Sequence, residues 1–408
     1  MKCRHCGTEL VLPLIDLGSA PPSNAYLTET TLSAPEKWFP LRVLACTECW
    51  LVQTEDYAGV AELFDAEYAY FSSFSTTWLQ HAERYVAEMV ERFGLNAGSN
   101  VIEVAANDGY LLQYVTARGI PCLGVEPTAS TAAAARAKGI TIIGEFFGSQ
   151  LAQVLITQGK QADLTVANNV LAHVPDINDF VRGFAQVLKP QGVATFEFPH
   201  LIRLVEQTQF DTIYHEHFSY LSLTAVTRIF DRNGLQIFDV QEIPTHGGSL
   251  RVFAQRKGTG KHEVTAAVEA MVAHEAAAGM KTAPYYADFQ QRTNRIKHDL
   301  LAFLIESARQ GKKVIAYGAA AKGNTLLNYA GVRPDLLPFV VDRNPAKQGK
   351  YMPGSRIPVV AESCISEQKP DYILILPWNL RNEITEQLAY IREWGGQFVT
   401  SVPVLKVG

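Results

Sequence analysis

The sequence predicts an α/β protein with two parallel-sheet units, a small metal-stapled unit preceding the first and the second lying at the C-terminal end. Three observations carry this. Short apolar runs alternate with helix-period segments from Ser99 onward. The alternation stops at a mostly helical stretch over 264–310 and resumes at Lys313. Two Cys-x2-Cys pairs, Cys3/Cys6 and Cys46/Cys49, bracket a turn-rich N-terminal region. Alternating strands and helices lie as a parallel sheet covered on both faces. A chain of 408 residues exceeds what one core fills comfortably. The expected domains are 1–68, 69–260 and 261–408.

In order, apolar residues at helical spacing from Trp78 to Phe93 give a lead-in helix. Strands are expected over Ser99–Val104, Cys122–Val125, Thr141–Ile143, Leu164–Ala167 and Val193–Phe198, with helices over Gly109–Ala117 and Ser130–Lys138. Gln236–Val240 and Leu250–Ala254 complete the sheet in mixed fashion. The second unit reads as strands Lys313–Tyr317, Pro338–Val341, Ile357–Val360, Asp371–Leu376 and Gln397–Val402, with helices from Ala321 and over Arg381–Trp394.

Hydrophobic residues make up 47% and charged residues 19%, ordinary for a globular chain. A formal net charge of −5 tilts against nucleic acid, whose phosphates need a basic face. No apolar run approaches the roughly 20 residues that span a bilayer, so no membrane partner is expected. Met1-Lys2-Cys3-Arg4-His5-Cys6 lacks an apolar signal core. The expectation is a cytoplasmic protein with reduced thiols and, for want of a heptad seam, a monomer. Cys122 and Cys364 read as buried, inert thiols.

Each Cys-x2-Cys knuckle aims two thiolates at one centre, so Cys3, Cys6, Cys46 and Cys49 form a candidate tetrahedral zinc site. Four sulfur ligands leave no open position, and such a zinc is structural. Redox pairs are the competing reading, but neither motif follows a convincing strand at a helix start.

Val101-Ile102-Glu103-Val104-Ala105-Ala106-Asn107-Asp108-Gly109 is a strand ending in a tight turn. It resembles the first motif of class I methyltransferases, an acidic residue followed by G-x-(G/N)-x-G, with Ala105 where glycine is usual. That resemblance implies S-adenosylmethionine as cofactor, with Glu103, Ala105, Asn107 and Gly109 around its amino-acid portion and Glu126 at its ribose. A nicotinamide enzyme also carries an acid at that distance, but the G-x-G-x-x-G it needs is absent. Asn168 and Asn169 end the fourth strand, at the edge that faces ligands in open α/β sheets. In the same turn His173 is a candidate, and Asp176 a helix N-cap.

The segment Asp211-Thr212-Ile213-Tyr214-His215-Glu216-His217-Phe218-Ser219-Tyr220 crowds histidines, acids and tyrosines together. A carbon attacks a methyl sulfonium only after losing a proton, and a carbon beside a ketone can do so as an enolate. That chemistry wants a base titrating near neutrality and a donor for the enolate oxygen. A metal-binding His-x-His and a structural turn are the alternatives.

Taken together, the paired knuckles, the methyltransferase core, Tyr214-His215-Glu216-His217 and the second α/β unit resemble the sugar 3-C-methyltransferases over essentially the whole chain. The resemblance implies a class I methyltransferase Rossmann-like domain flanked by a zinc-binding domain and a C-terminal Rossmann-like domain that helps hold a nucleotide-linked 4-keto-deoxysugar, thymidine or guanosine diphosphate being the expected carriers. It also implies His217 as the base at C3, Tyr214 and Glu216 as positioning groups, and His173 at the substrate oxygens. Tyr70, with Tyr68 second, would reach in from the N-terminal side. Tyr317–Thr325 suits a pyrophosphate at a helix N-terminus, and His246–Arg251 supplies backbone donors and a cation. The rival readings are an NAD-dependent nucleotide-sugar dehydrogenase or epimerase and a zinc-ribbon RNA-binding protein.

Overall fold

The computed structural model describes residues 1–57 and 71–408. Near the N-terminus β1 (Leu12–Ala20), β2 (Phe39–Ala45) and β3 (Val52–Thr54) form an antiparallel sheet. Helix α1 (Thr76–Phe93) follows, its first turn closed by Ser75 Oγ accepting from the Trp78 amide at 3.2 Å and its end by Gly94 in the left-handed region. Tyr85, Val86 and Met89 recur on its buried face.

The central strands are β4 (Val101–Val104), β5 (Cys122–Val125), β6 (Ile142–Ile143), β7 (Ala162–Asn168), β8 (Leu188–Pro199), β9 (Ser219–Tyr220), β10 (Leu235–Ile243) and β11 (Ser249–Arg256). The sheet runs β10-β11-β8-β7-β4-β5-β6. It is parallel from β8 to β6 and antiparallel where β11 meets β8 and β10. Strand order reverses at β4, so a crevice opens beyond the carboxyl ends of β4, β5 and β7. Strand β9 leaves this sheet and pairs with β3. The chain just after His217 is thereby stitched to the N-terminal unit.

Helix α2 (Leu223–Arg232) packs under the central sheet, and α3 (Ala266–Ala277) and α4 (Phe289–Arg309) bridge to the second unit. Glu275 of α3 is wholly buried; it accepts from His200 Nε2 at 2.7 Å and from the amides of Leu223 and Thr224, fastening α3 to the start of α2. The second unit comprises β12 (Val314–Tyr317), α5 (Ala321–Ala330), β13 (Val340–Val341), β14 (Val359–Val360), β15 (Tyr372–Ile375), β16 (Gln397–Thr400) and β17 (Lys406–Val407). Their order is β14-β13-β12-β15-β16-β17, parallel except for β17. One hydrophobic core runs through Leu14 and Val43, Phe210 and Ile213, and Leu326 and Leu374, joining all three stretches of chain.

The expected α/β architecture is present, with corrections in detail. The helix expected over Gly109–Ala117 shortens to Leu112–Thr116, because Gly109 at φ 78 belongs to the preceding turn. The helix expected over Arg381–Trp394 breaks at Leu388 into an α-turn and a 3-10 stretch that ends at Gly395 in the left-handed region. Cys122 and Cys364 are half-exposed, not buried. The second knuckle directly follows β2, contrary to expectation, but it makes a turn and no helix begins there. No described helix is long and apolar enough to cross a membrane.

Candidate active site

A cavity of about 1860 Å³ occupies the crevice beyond β4, β5 and β7 and is closed on its far side by the loop after β12. One small ligand fills roughly 300–1,000 Å³, so two ligands fit here side by side.

On the central wall, Ala105, Asn107 and Gly109 all take positive φ, at 58, 49 and 78. Ala105 and Asn107 line the cavity. Gly109 does not; a Cβ there would meet Ile140 Cδ1 at 2.4 Å, so the glycine serves packing of the loop. Ala105 occupies the glycine position at a cost of about 1 kcal/mol for left-handed backbone. Ala105→Gly is therefore expected to raise stability by up to ~1 kcal/mol with the loop unchanged, read by denaturant melts. Glu126 lines the cavity, its Oε2 accepting from the Asn107 amide and its Oε1 from the Thr128 amide, both at 2.9 Å. Glu103 lies beneath the loop, outside the cavity lining, and burial pushes its carboxyl well up. Asn168 and Asn169 both line the cavity. Asn169 Oδ1 is buried with no hydrogen-bond partner among the described residues, an acceptor left for a ligand. This polar, backbone-rich pocket fits the amino-acid and ribose portions of S-adenosylmethionine.

The sequence reading missed Glu145 and Phe146 beyond β6, and Trp78 and His81 on α1; all four line the same wall. Phe146 is 63% exposed, a large aromatic with no packing reason to be there. Arg251 also reaches this wall, but its guanidinium is engaged by Glu197 at 2.7 Å and Glu88 at 2.8 Å, which removes it as the expected cation for the substrate.

The segment before β9 forms the floor. His217 Nδ1 donates to the Thr212 carbonyl at 2.8 Å, which leaves Nε2 as the basic nitrogen. Its ring lies 4.6 Å from that of His173 and 3.9 Å from that of Tyr214, centroid to centroid. His173, Tyr214 and His217 all line the cavity. Burial, then the neighbouring His173, pulls His217 well below its ordinary pKa, and burial takes His173 down to about 4. Both rings are neutral at physiological pH, and His217 titrates below the near-neutral range expected of the base, because burial penalises its cation.

Glu216 and His215 point elsewhere. His215 Nε2 meets the Phe39 carbonyl at 3.2 Å, so His215 and His217 do not form a chelate. Glu216 is wholly buried outside the cavity lining and accepts from Asn24 Nδ2 at 3.1 Å. Burial raises its carboxyl to about 7. A carboxyl raised in the folded state favours folding while protonated, and that stability drains away as pH climbs from the unfolded value through about 7. Glu216→Gln cannot ionise. Its stability relative to wild type is expected to rise by about 1 kcal/mol between pH 6 and pH 8, measured by melts across that range.

All three stretches of chain hold this segment. Thr54 Oγ1 donates to the His217 carbonyl at 3.1 Å, Thr325 Oγ1 to the Ile213 carbonyl at 2.8 Å, and Trp378 Nε1 to Asp211 at 2.7 Å. The Phe218 amide donates to the Ala172 carbonyl at 2.8 Å. Opposite, Gly318 sits at φ 88 where a Cβ would strike Pro377 at 2.5 Å, and the Ala319 amide donates to Asp342. Lys322, Arg343, Asn344 and Lys347 line this far wall. Tyr68 and Tyr70 lie outside the described residues.

Away from the cavity, the sulfurs of Cys3, Cys6, Cys46 and Cys49 lie within 4.8 Å of one another. Cys3–Cys49 and Cys6–Cys46 are each 3.5 Å apart. Zn–S bonds of about 2.3 Å put tetrahedral sulfurs roughly 3.8 Å apart, so the group fits zinc. Gly7 at φ 81 and Trp50 at φ 62 turn the chain after each knuckle, their amides donating to the Cys3 and Cys46 carbonyls.

Three family models match the chain: "Putative zinc binding domain" over residues 3–64, "Methyltransferase domain" over 78–240 and "C-methyltransferase C-terminal domain" over 244–403. The C-methyltransferase NovU of Streptomyces niveus is 34% identical over 406 residues, covering 100% of this chain and 96% of that protein. Among solved structures, magnesium protoporphyrin IX methyltransferase (ChlM) from Synechocystis PCC 6803 with bound SAH is 18% identical and matches 44% of this chain and 83% of that one, with a TM-score of 0.36. An S-adenosylmethionine-dependent methyltransferase from Clostridium acetobutylicum is 11% identical and matches 44% and 92%, with a TM-score of 0.37. The nicotinamide and RNA-binding readings fall on the full-length match. The cofactor is S-adenosylmethionine, the four cysteines are a structural zinc site, and the chain belongs to the C-methyltransferase family.

Proposed function

We propose that the enzyme methylates C3 of a nucleotide-linked 4-keto-6-deoxy sugar, with His217 as the base. The observation that carries this reading is the His217 ring in the wall of a two-ligand cavity, its Nδ1 proton given to Thr212 and its Nε2 left basic. A neutral imidazole takes the C3 proton, the charge delocalising onto the C4 oxygen as an enolate. S-adenosylmethionine, when bound against Asn107, Glu126 and Asn169, supplies the electrophilic methyl that the enolate carbon takes.

Tyr214 packs against His217, the rings tilted by 35°, and helps hold its orientation, while Glu216 acts through Asn24, which lines the cavity. His173 contacts the substrate oxygens. Glu103 and Gly109 shape the cofactor loop from beneath, Ala105 brings its backbone close to the cofactor, and Asn168 adds a polar contact. Tyr70 completes the proposed catalytic set. The loop before α5 receives the diphosphate, of thymidine or guanosine. The domains run 1–68, 69–260 and 261–408. A four-thiolate zinc site suits a reducing compartment, and we place the enzyme in the cytoplasm as a monomer that binds no nucleic acid.

The test is incubation with S-adenosylmethionine and a panel of thymidine- and guanosine-diphospho sugars, with and without a 4-keto group, read by mass spectrometry. Gain of one methyl mass confined to 4-keto sugars is expected; methylation that ignores the ketone contradicts the reading.

A further inference from the structure

An enolate oxygen formed out of water needs a donor, and the donor cannot be the base itself. Two residues outside the Tyr214–His217 motif reach this cavity from the second unit and from the β10–β11 turn. Lys322 Nζ lies 4.7 Å above the Trp378 ring and donates to Asn379 Oδ1 at 2.6 Å. Among the described residues no carboxylate forms a salt bridge with it; burial pulls its pKa down and the charge of Asp211 opposes that, and when protonated it has three protons to give.

The other face of the site is His246. The neighbouring Gly247 packs so tightly on Trp378 that a Cβ there would come within 2.6 Å of the ring. Trp378 is thus a wedge shared by Lys322 and the His246 turn. His246 Nε2 lies 3.1 Å from Asn169 Nδ2, and its ring is 5.2 Å from that of Trp78. Accepting from the amide puts the imidazole proton on Nδ1. The residue holds φ 54, a left-handed strain that a non-glycine side chain bears where its surroundings over-determine it. Burial, then the charge of Lys322, takes its pKa down to about 4, so it is a neutral donor. Lys322, His246 and His217 all line the same cavity.

We propose that Lys322 and His246 form the oxyanion site of the reaction, holding the C4 oxygen while His217 works at C3. The inference rests on the enolate reading above. His217 Nε2 takes the C3 proton, the C–H pair becomes the C3–C4 double bond, and the carbonyl π pair moves to oxygen, held there by Lys322 Nζ–H and His246 Nδ1–H. As the new C–C bond forms at C3, the carbonyl re-forms and the sulfonium's S–CH3 pair stays on sulfur as a neutral thioether. Lys322 thereby serves the reacting carbonyl, and the diphosphate falls to the backbone amides of its loop.

The test uses the full-length enzyme with S-adenosylhomocysteine in D2O and follows loss of the C3 proton of thymidine-diphospho-4-keto-6-deoxyglucose, or its guanosine counterpart, by NMR. Lys322→Met keeps the contact with Trp378 and is expected to slow exchange about 100-fold at saturating sugar, with the sugar KM little changed. His246→Asn keeps a residue tolerant of left-handed backbone and should slow exchange by less, since an amide donor remains. Lys322→Gln and the affinity for S-adenosylhomocysteine check folding. Unchanged exchange in the variants, or a large rise in KM at an unchanged saturated rate, overturns the oxyanion site alone. No exchange by the wild-type enzyme overturns the enolate reading and this site with it.

Discussion

His217→Asn is expected to bind S-adenosylhomocysteine as wild type does and to transfer methyl groups roughly 10³-fold more slowly, within the range for loss of a general base. The asparagine amide can still donate to the Thr212 carbonyl that now takes the His217 Nδ1 proton at 2.8 Å. The fold is kept and the basic nitrogen lost. Calorimetric titration and a methyl-transfer assay on one preparation read the two quantities separately. The residues expected to hold the cofactor lie in β4 and the loop after it, just after β5 and at the end of β7, away from the segment before β9 that carries His217. Turnover near the wild-type rate would remove His217 from the chemistry.

Stripping zinc with a chelator should have the second large effect. Structural four-cysteine zinc sites contribute folding energy directly, and Cys3, Cys46 and Cys49 are buried here. Its residues also hold the floor of the active site: Thr54 bonds the His217 carbonyl, Asn24 bonds Glu216, and β3 pairs with β9. Methyl transfer is therefore expected to fall at least tenfold on zinc loss, while the central sheet and its cofactor affinity persist. Readdition of zinc should restore turnover. Equal loss of cofactor binding and turnover would mean that the whole chain unfolds, and unchanged turnover that the zinc unit does not shape the site. Cys46→Ser offers the same test without a chelator.

Much of this was legible in the residues, for identifiable reasons. Strand–helix alternation fixes a parallel sheet because only a crossover can join parallel strands. The knuckle spacing fixes a metal geometry, and the four sulfurs converge as that geometry demands. The Tyr214–His217 cluster was legible because so many polar groups in one short segment have no packing purpose. The direction each side chain takes was not. Glu216 and His217 are adjacent, yet one turns to Asn24 and the other to the cavity, a choice set by contacts with Asn24, Thr54 and Phe39 far away in sequence. Gly109 looked like a cofactor contact but answers to Ile140. Phe146 and Trp78 gave no local pattern, because exposure on a cavity wall is a tertiary property. Arg251 looked like a free cation until Glu197 and Glu88 were seen beside it.

The central claim is that a methyl group is placed on carbon, at C3 of a 4-keto sugar. Incubating the enzyme with methyl-labelled [13C]S-adenosylmethionine and thymidine-diphospho-4-keto-6-deoxyglucose, or the guanosine analogue, and recording carbon–proton correlation spectra of the product tests it most directly. The account predicts a labelled methyl bonded to a C3 that has lost its proton. A label on oxygen, or on a carbon not adjacent to the ketone, would contradict it.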